Sequence, residues 1–376
     1  EIPGSLVGSE MCIRDRATNL PGSLCPENNN NNIDSDGGVM SFLSRVLITA
    51  MTLFTLSGCS IIYMQMGWVV YDLTDRHVTP YTMTIDDVGV ACSTTQGLQP
   101  LINAFTRVTS TDDLANLMMN MMAGSCAEEA AVEESLAYIR AFKNQNINEA
   151  KDARIREKRE YAIAATRQYR AYQHMVDEFG EPGEKCPRLN HDEGVYWTLG
   201  NLAGLQSVLN DLKAQSVVNV PKDIAMKAVR GLQCLDNEEY WGVPAAASAG
   251  LKILMPDSSD TSATDPWVEL ETASRTATEN GVRLAHAVEI LVADGGGHTD
   301  RVKEAIRRHA ASLKTNPSHR DYRLLDVVAS RQIRAVSDRM WTDATGSRTP
   351  VGEFGTFWDD VDESAAPVMD IDDLLD

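Results

Sequence analysis

The sequence predicts an all-α protein, a helical-repeat solenoid of antiparallel helix pairs. Three observations predict it. Apolar residues after Pro80 recur at offsets of three and four in one segment after another. No stretch shows β-branched alternation bounded by hairpin turns. Paired helices recur at about 34 to 45 residues, a period at which no unit buries its apolar face alone.

Thr84–Cys92 leads into a first helix, and Leu98–Arg107 continues or partners it. Thr111-Asp112-Asp113 offers side-chain oxygens to the free N–H groups of the next helix, Leu114–Ala123. Ala127–Phe142 and Ile147–Phe179 follow, the second long, charged and closed by Gly180-Glu181-Pro182-Gly183. Beyond it the units shorten to Val195–Leu212, Lys222–Leu235, Tyr240–Leu254, Pro266–Thr278, Gly281–Val292 and Thr299–Ser312, with Asp321–Met340 ending the series. Short loops make neighbours antiparallel. Around Ala225, Val229 and Leu232, and again around Leu270, Ser274 and Ala277, small or apolar residues fall at offsets of four and three. Those offsets match the second helix of a tetratricopeptide unit, where small residues let helices approach closely. The aromatic residue of that unit is missing from both copies, and Asn237 and Asn280 stand where its closing proline would.

Ahead of these helices, residues 1–39 have no apolar periodicity, carry asparagine from Asn28 to Asn32, and cannot bury a core. Ser5–Arg16 resembles a translated sequencing adapter, so this stretch is expected to be a non-native leader or a disordered segment. Residues 40–58 form a lipoprotein signal peptide. Arg45 supplies the positive start, Val46–Leu56 the apolar stretch, and Leu56-Ser57-Gly58-Cys59 fits a lipobox in which Cys59 receives the lipid. An apolar run of about 11 residues falls short of the roughly 20 that a spanning helix needs. Acyl chains on Cys59, at about 0.8 kcal/mol per methylene, would hold the chain on a membrane surface. Ser60 after the cysteine resembles lipoproteins bound for the outer membrane, which implies a periplasm-facing protein of the cell envelope. Residues 59–78 are then anchor and linker, 79–345 the helical repeat domain, and 346–376 an acidic tail read as disordered. In the tail Phe357-Trp358 and Leu374-Leu375 leave partner docking as the sharper alternative.

A formal charge of −20 repels nucleic acid and anionic membranes and so excludes both as polyanionic partners. Cys92, Cys126, Cys186 and Cys234 form an even set, which in an oxidising compartment suggests two disulfides. Of three connectivities the neighbour pairing, Cys92 to Cys126 and Cys186 to Cys234, is expected; four buried thiols are the alternative. Catalysis finds no support. His191-Asp192-Glu193 reads as a capping turn, while His286, His309 and His319 lack carboxylates at helical offsets. HExxH, CxxC and GxSxG are missing, and Gly295-Gly296-Gly297 has no following lysine. No metal, cofactor or enzymatic activity is expected. Two groups suit binding. Met118, Met119, Met121 and Met122 either line an adaptable pocket or pack as core. Tyr196, Trp197, Tyr240 and Trp241 stand at helix starts, where their rings either converge on one face or wedge between repeats. The charged stretch Lys151–Arg170 reads as a solvated helix face, or as a surface for a negatively charged partner.

Thr79-Pro80-Tyr81 with Asp86-Asp87, Tyr196-Trp197, Tyr240-Trp241-Gly242-Val243-Pro244 and Asp265-Pro266 occur in that order after the lipobox. Together they resemble the T components of tripartite ATP-independent periplasmic (TRAP) transporters over roughly residues 79–340. The resemblance implies a non-enzymatic, tetratricopeptide-type lipoprotein that accompanies a periplasmic solute-binding subunit and handles small hydrophobic or acidic organic molecules. Met118, Met122, Tyr196, Trp197, Tyr240 and Trp241 are the residues expected to meet ligand or partner. An envelope assembly scaffold without a small-molecule ligand is the alternative function, and self-association is left open.

Overall fold

The computed structural model describes residues 45–46, 62–110, 112–183, 185–255 and 264–360, and Cys59 lies outside them. Two units divide the chain, Glu1–Gly58 and Cys59–Asp376. Of the first, Arg45 and Val46 are described, and they are helical. All that follows concerns the second.

Helical structure begins before the expected domain start. Residues 62–73 are helical, not a linker, and run through a π-helical turn, Thr74–Val78, into α1 (Thr79–Thr84). Asp87 then caps α2 (Val88–Phe105), its carboxylate accepting the Val90 N–H at 3.1 Å. The two segments expected here form one helix that carries Pro100 in its interior. Asp112, inside the predicted capping triplet, accepts the Ala115 N–H at 3.0 Å and starts α3 (Asp113–Lys143). This helix also joins two expected segments. Gly124 does not break it, because its role is close approach: a Cβ there would lie 2.6 Å from Gln168 Cγ on the next helix. Asn146 caps α4 (Ile147–Phe179), whose bounds coincide with the charge and apolar pattern of the sequence.

Helices α3 and α4 pack along much of their length, and α4 also packs on α5 (His191–Lys213). Alanines make this possible. Ala123, Ala127 and Ala131 on α3, with Ala150, Ala153, Ala164, Ala165 and Ala171 on α4, are buried and let the backbones come close. The charged run Lys151–Arg170 therefore solvates only part of α4, and Arg156 ties its outer face to Glu134 of α3 at 2.8 Å.

The remaining helices are α6 (Ile224–Leu232), α7 (Val243–Leu254), α8 (Pro266–Asn280), α9 (Leu284–Gly295), α10 (Thr299–Thr315) and α11 (Arg323–Thr345). Consecutive helices pack on each other through much of this series, and α9 touches α7, α8, α10 and α11. The last helix then returns to the first long one. Between α11 and α3, Arg331 pairs with Glu129 at 2.8 Å and Asp343 with Lys143 at 3.6 Å. Besides the helical residues 62–73 there are eleven α-helices among the described residues and no strands, so the described chain is all-α.

The main core joins Leu117, Met121, Met175, Trp197, Leu199, Tyr240, Trp241 and Leu325, and a second one joins Ile290, Ile306, Ile333, Val336 and Phe357. Phe357 shows that the expected disordered tail starts too early. Residues 346–360 fold back, with Trp341 Nε1 donating to the Thr356 carbonyl at 3.1 Å and Asp359 and Asp360 pairing with Lys303 and Arg307, each at 2.5 Å. Aromatic burial and cations on α10 outweigh the solvation of the carboxylates. Residues 361–376 lie outside the described residues.

Two disulfides close the loops with neighbour connectivity, Cys92–Cys126 across α2 and α3, and Cys186–Cys234. Their sequence separations are 34 and 48 residues. Replacing either pair with alanine is expected to lower unfolding free energy by roughly 3–4 kcal/mol through the freed denatured chain. Urea unfolding of each double variant against the oxidised parent measures it, and unchanged midpoints would show that neither loop constrains the denatured state.

Candidate functional site

The four aromatic residues singled out in the sequence divide between two surroundings. Trp197 is buried, donates from Nε1 to the Gly231 carbonyl at 2.7 Å and meets Phe179 edge-on at 6.1 Å. Its neighbour Tyr196 turns the other way and donates to Asp75 at 3.0 Å. Burial, followed by the Asp75 charge, raises the Tyr196 phenol above its ordinary range. Tyr240 and Trp241 do meet, at 6.4 Å, in a cluster with His191 and Tyr322. Trp241 and Gly242 both have positive φ, 58° and 76°, and turn the chain sharply into α7. Only glycine fits the second position, since a Cβ would stand 2.3 Å from the Ala273 carbonyl oxygen. Burial, with Glu239 nearby, pushes the Tyr240 phenol up to about 12. Trp197, Tyr240 and Trp241 are each under 5 % exposed, so these rings hold helices together and present no open face.

Open space lies instead between α3 and α11. At one end Met118 and Met122, with Met83, Leu98, Leu325 and Val328, line an apolar cavity of about 50 Å³. At the other end a cleft of about 440 Å³ is lined by Glu128, Glu129, Glu133, Asp294 and Asp338, and by Lys213, Arg331, Arg334, Arg339 and Arg348. Val328 of α11 lines both, so the two spaces neighbour each other along α11. Most of its charges are paired: Arg331 with Glu129, Arg339 with Asp294, and Arg348 with Glu133. Two cations have aromatic partners and no ion pair among the described residues. The Arg334 guanidinium stands 4.3 Å from the Phe354 ring centre, and Lys213 Nζ 4.8 Å from that of Tyr161. Burial, with Glu128 next in effect, raises the Tyr161 phenol, so its hydroxyl stays protonated at the cleft wall. Neighbouring spaces of this kind, one apolar and one with two cations outside any ion pair among the described residues, suit a small amphipathic molecule.

The methionines were legible in the sequence; the charged end was not. Its residues come from α3, α5, α9, α11 and the segment after α11, and no spacing rule connects positions some 200 apart, such as Glu129 and Arg331, whose separation is 202.

Two polar groupings were equally hidden. His191, next to the capping box formed by Asn190 and Glu193, contacts Glu239 at 2.7 Å and the Tyr322 hydroxyl at 3.1 Å. Where α3 begins, Asp113, His174 and Asp177 bring three potential ligand atoms within 4.8 Å of one another, and could hold a divalent cation. His174 Nδ1 also makes a 2.8 Å polar contact with Asp113, so these side chains link α3 to α4. Burial, with Asp113 and Asp112 next in effect, raises the nearby Glu178 carboxyl.

The fold and these spaces define the class, an all-helical protein with an apolar and a charged space side by side between distant helices. No protein-family model, curated protein or solved structure matches the chain.

Proposed function

We propose that the chain is a lipid-anchored, periplasm-facing binding protein of the TRAP-transporter T-component type, which engages a solute-binding subunit and holds a small organic acid with an apolar part. The observation that carries the ligand class is the pair of neighbouring spaces between α3 and α11, one lined by Met118 and Met122, the other by Arg334 and Lys213, two cations outside any ion pair among the described residues. In it the apolar part lies against Met118 and Met122, and Arg334 and Lys213 attract the acidic group. The lipobox and the ordered motifs behind it support the envelope assignment, and two disulfides suit an oxidising compartment. Packing of consecutive helices supports a tetratricopeptide-like arrangement, although the return of α11 to α3 departs from a linear stack whose units touch only their neighbours. No catalytic step is assigned to it.

Titration calorimetry with octanoate and co-precipitation with the solute-binding subunit test the two halves. Arg334→Glu is expected to weaken octanoate binding about tenfold, equivalent to 1.4 kcal/mol. Absence of saturable binding removes the ligand, and failure to recover a solute-binding subunit at low salt removes the transporter. An envelope scaffold without a ligand is the second reading, favoured by the small volume at the methionine end. Partner recovery without octanoate binding selects it.

A further inference from the structure

We propose that residues 62–69 lie in the interfacial layer of a lipid bilayer, with Trp68 among the headgroups; the orientation rests on anchoring at Cys59 as proposed above. Residues 46–71 contain no charged side chain, so the apolar character of the signal region continues past the lipobox. In the structure this continuation is a helix whose domain-facing stripe is narrow. Gly67, Tyr71 and Thr74 are buried, and the Tyr71 hydroxyl donates to the Ile102 carbonyl at 3.4 Å. Gly67 permits the close approach, since a Cβ would stand 2.7 Å from the Thr109 methyl.

The other faces carry Ile62, Tyr63, Met66, Trp68 and Val69, each more than half exposed: 60 %, 56 %, 52 %, 55 % and 67 %. A contiguous surface of this kind marks an interaction site. Position selects its occupant. With the acyl chains on Cys59 in the membrane, three further residues span at most about 10 Å, so Ile62 starts at the bilayer surface. Tyr63 and Trp68 have the amphipathic rings that settle at headgroup depth. Charge returns at Asp72, Asp75 and Arg76, where the helix leaves the lipid for the domain. Residues 62–69 rise only about 12 Å as a helix, against a hydrocarbon core of about 30 Å, so with Cys59 at the membrane this segment lies along the surface.

The test uses the full chain in phosphatidylcholine vesicles with and without brominated acyl chains, which quench nearby indoles. The Trp68 emission, isolated by difference against Trp68→Phe, is expected to fall about twofold with brominated lipid. A Cys59→Ser chain is expected to keep part of its vesicle binding, and to lose it when Trp68→Lys and Val69→Lys are added. Mass spectrometry of Cys59 separates the two readings. Acylated Cys59 with unquenched Trp68 overturns this proposal and leaves the anchor. Unmodified Cys59 with quenched Trp68 supports the interfacial helix and removes the anchor. Shielding of Trp68 that appears only after envelope proteins are added assigns the face to a protein and overturns the proposal.

Discussion

Arg283→Ala is expected to cost about 3–5 kcal/mol of unfolding free energy, because it leaves a buried carboxylate without its partner. Arg283 precedes α9 and is fully buried. Its guanidinium donates to Asp326 Oδ2 at 2.7 Å, the Ser312 hydroxyl at 2.7 Å, and the carbonyls of Ser312 and Asn316 at 2.9 and 2.6 Å. Its backbone N–H donates to the other Asp326 oxygen at 2.8 Å. One side chain thus joins the start of α9, the end of α10 and the first turn of α11. Lysine cannot replace it, since a point charge lacks the fork that reaches all of these acceptors. Arg283→Met combined with Asp326→Leu is expected to recover part of the loss, because the isolated charge disappears with its partner. Urea unfolding of the two singles and the double measures it. Additive losses would show that the residues act separately, contrary to this account.

The second large effect is acid sensitivity. His286 and His309 are buried with their rings 5.3 Å apart, and neither His309 nitrogen has a hydrogen-bond partner. Burial, then the Arg283 charge, lowers His286 to about 3. Burial, then His286, Arg283 and Arg334, lowers His309 well below its ordinary value. Both are therefore neutral in the folded chain, whereas in the unfolded chain they bind protons near pH 6.5. Their contribution is complete above that pH and is lost as pH falls toward 3, with a slope of about 1.4 kcal/mol per pH unit for each ring. Between pH 7 and 5 the two together are expected to remove roughly 4 kcal/mol. Asp112, Glu178 and Glu289 act in the opposite sense, since burial raises them and their protonation at low pH relieves the folded state. His309→Phe keeps a ring against Phe354 and should remove about half of the loss. Thermal unfolding of His309→Phe and the parent at pH 7 and 5 decides the matter, and equal pH dependence would refute it.

How much was legible depended on the range of each interaction. Asp112, inside the expected triplet, caps its helix through an oxygen three residues from the N–H it accepts, and the expected turn at His191-Asp192-Glu193 is capped one residue earlier, by Asn190; such local chemistry is written in the sequence. The same local reading left Leu98–Arg107 as either a continuation or a partner of the preceding helix, and continuation is what forms, whereas it split Leu114–Ala123 from Ala127–Phe142, which are one helix. At Gly124 the helix continues, held open to Gln168 by the missing Cβ. The tail from 346 to 360 looked disordered on composition, yet its aromatic residues find a core and its carboxylates find Lys303 and Arg307. The expected binding rings, Trp197, Tyr240 and Trp241, were recognisable as special, but a sequence cannot say whether an aromatic residue faces a pocket or fills a seam.

The sequence by itself determined the all-helical class, through apolar periodicity and caps that act within one or two turns, and marked Cys59 as the expected anchor. Tertiary structure decided the partners. It joined α11 to α3, placed Arg334 and Lys213 on one space and Met118 and Met122 on a neighbouring one, and buried Arg283 against Asp326. These contacts bridge residues far apart in the chain, and their identity follows from how the helices pack and not from any spacing along the sequence.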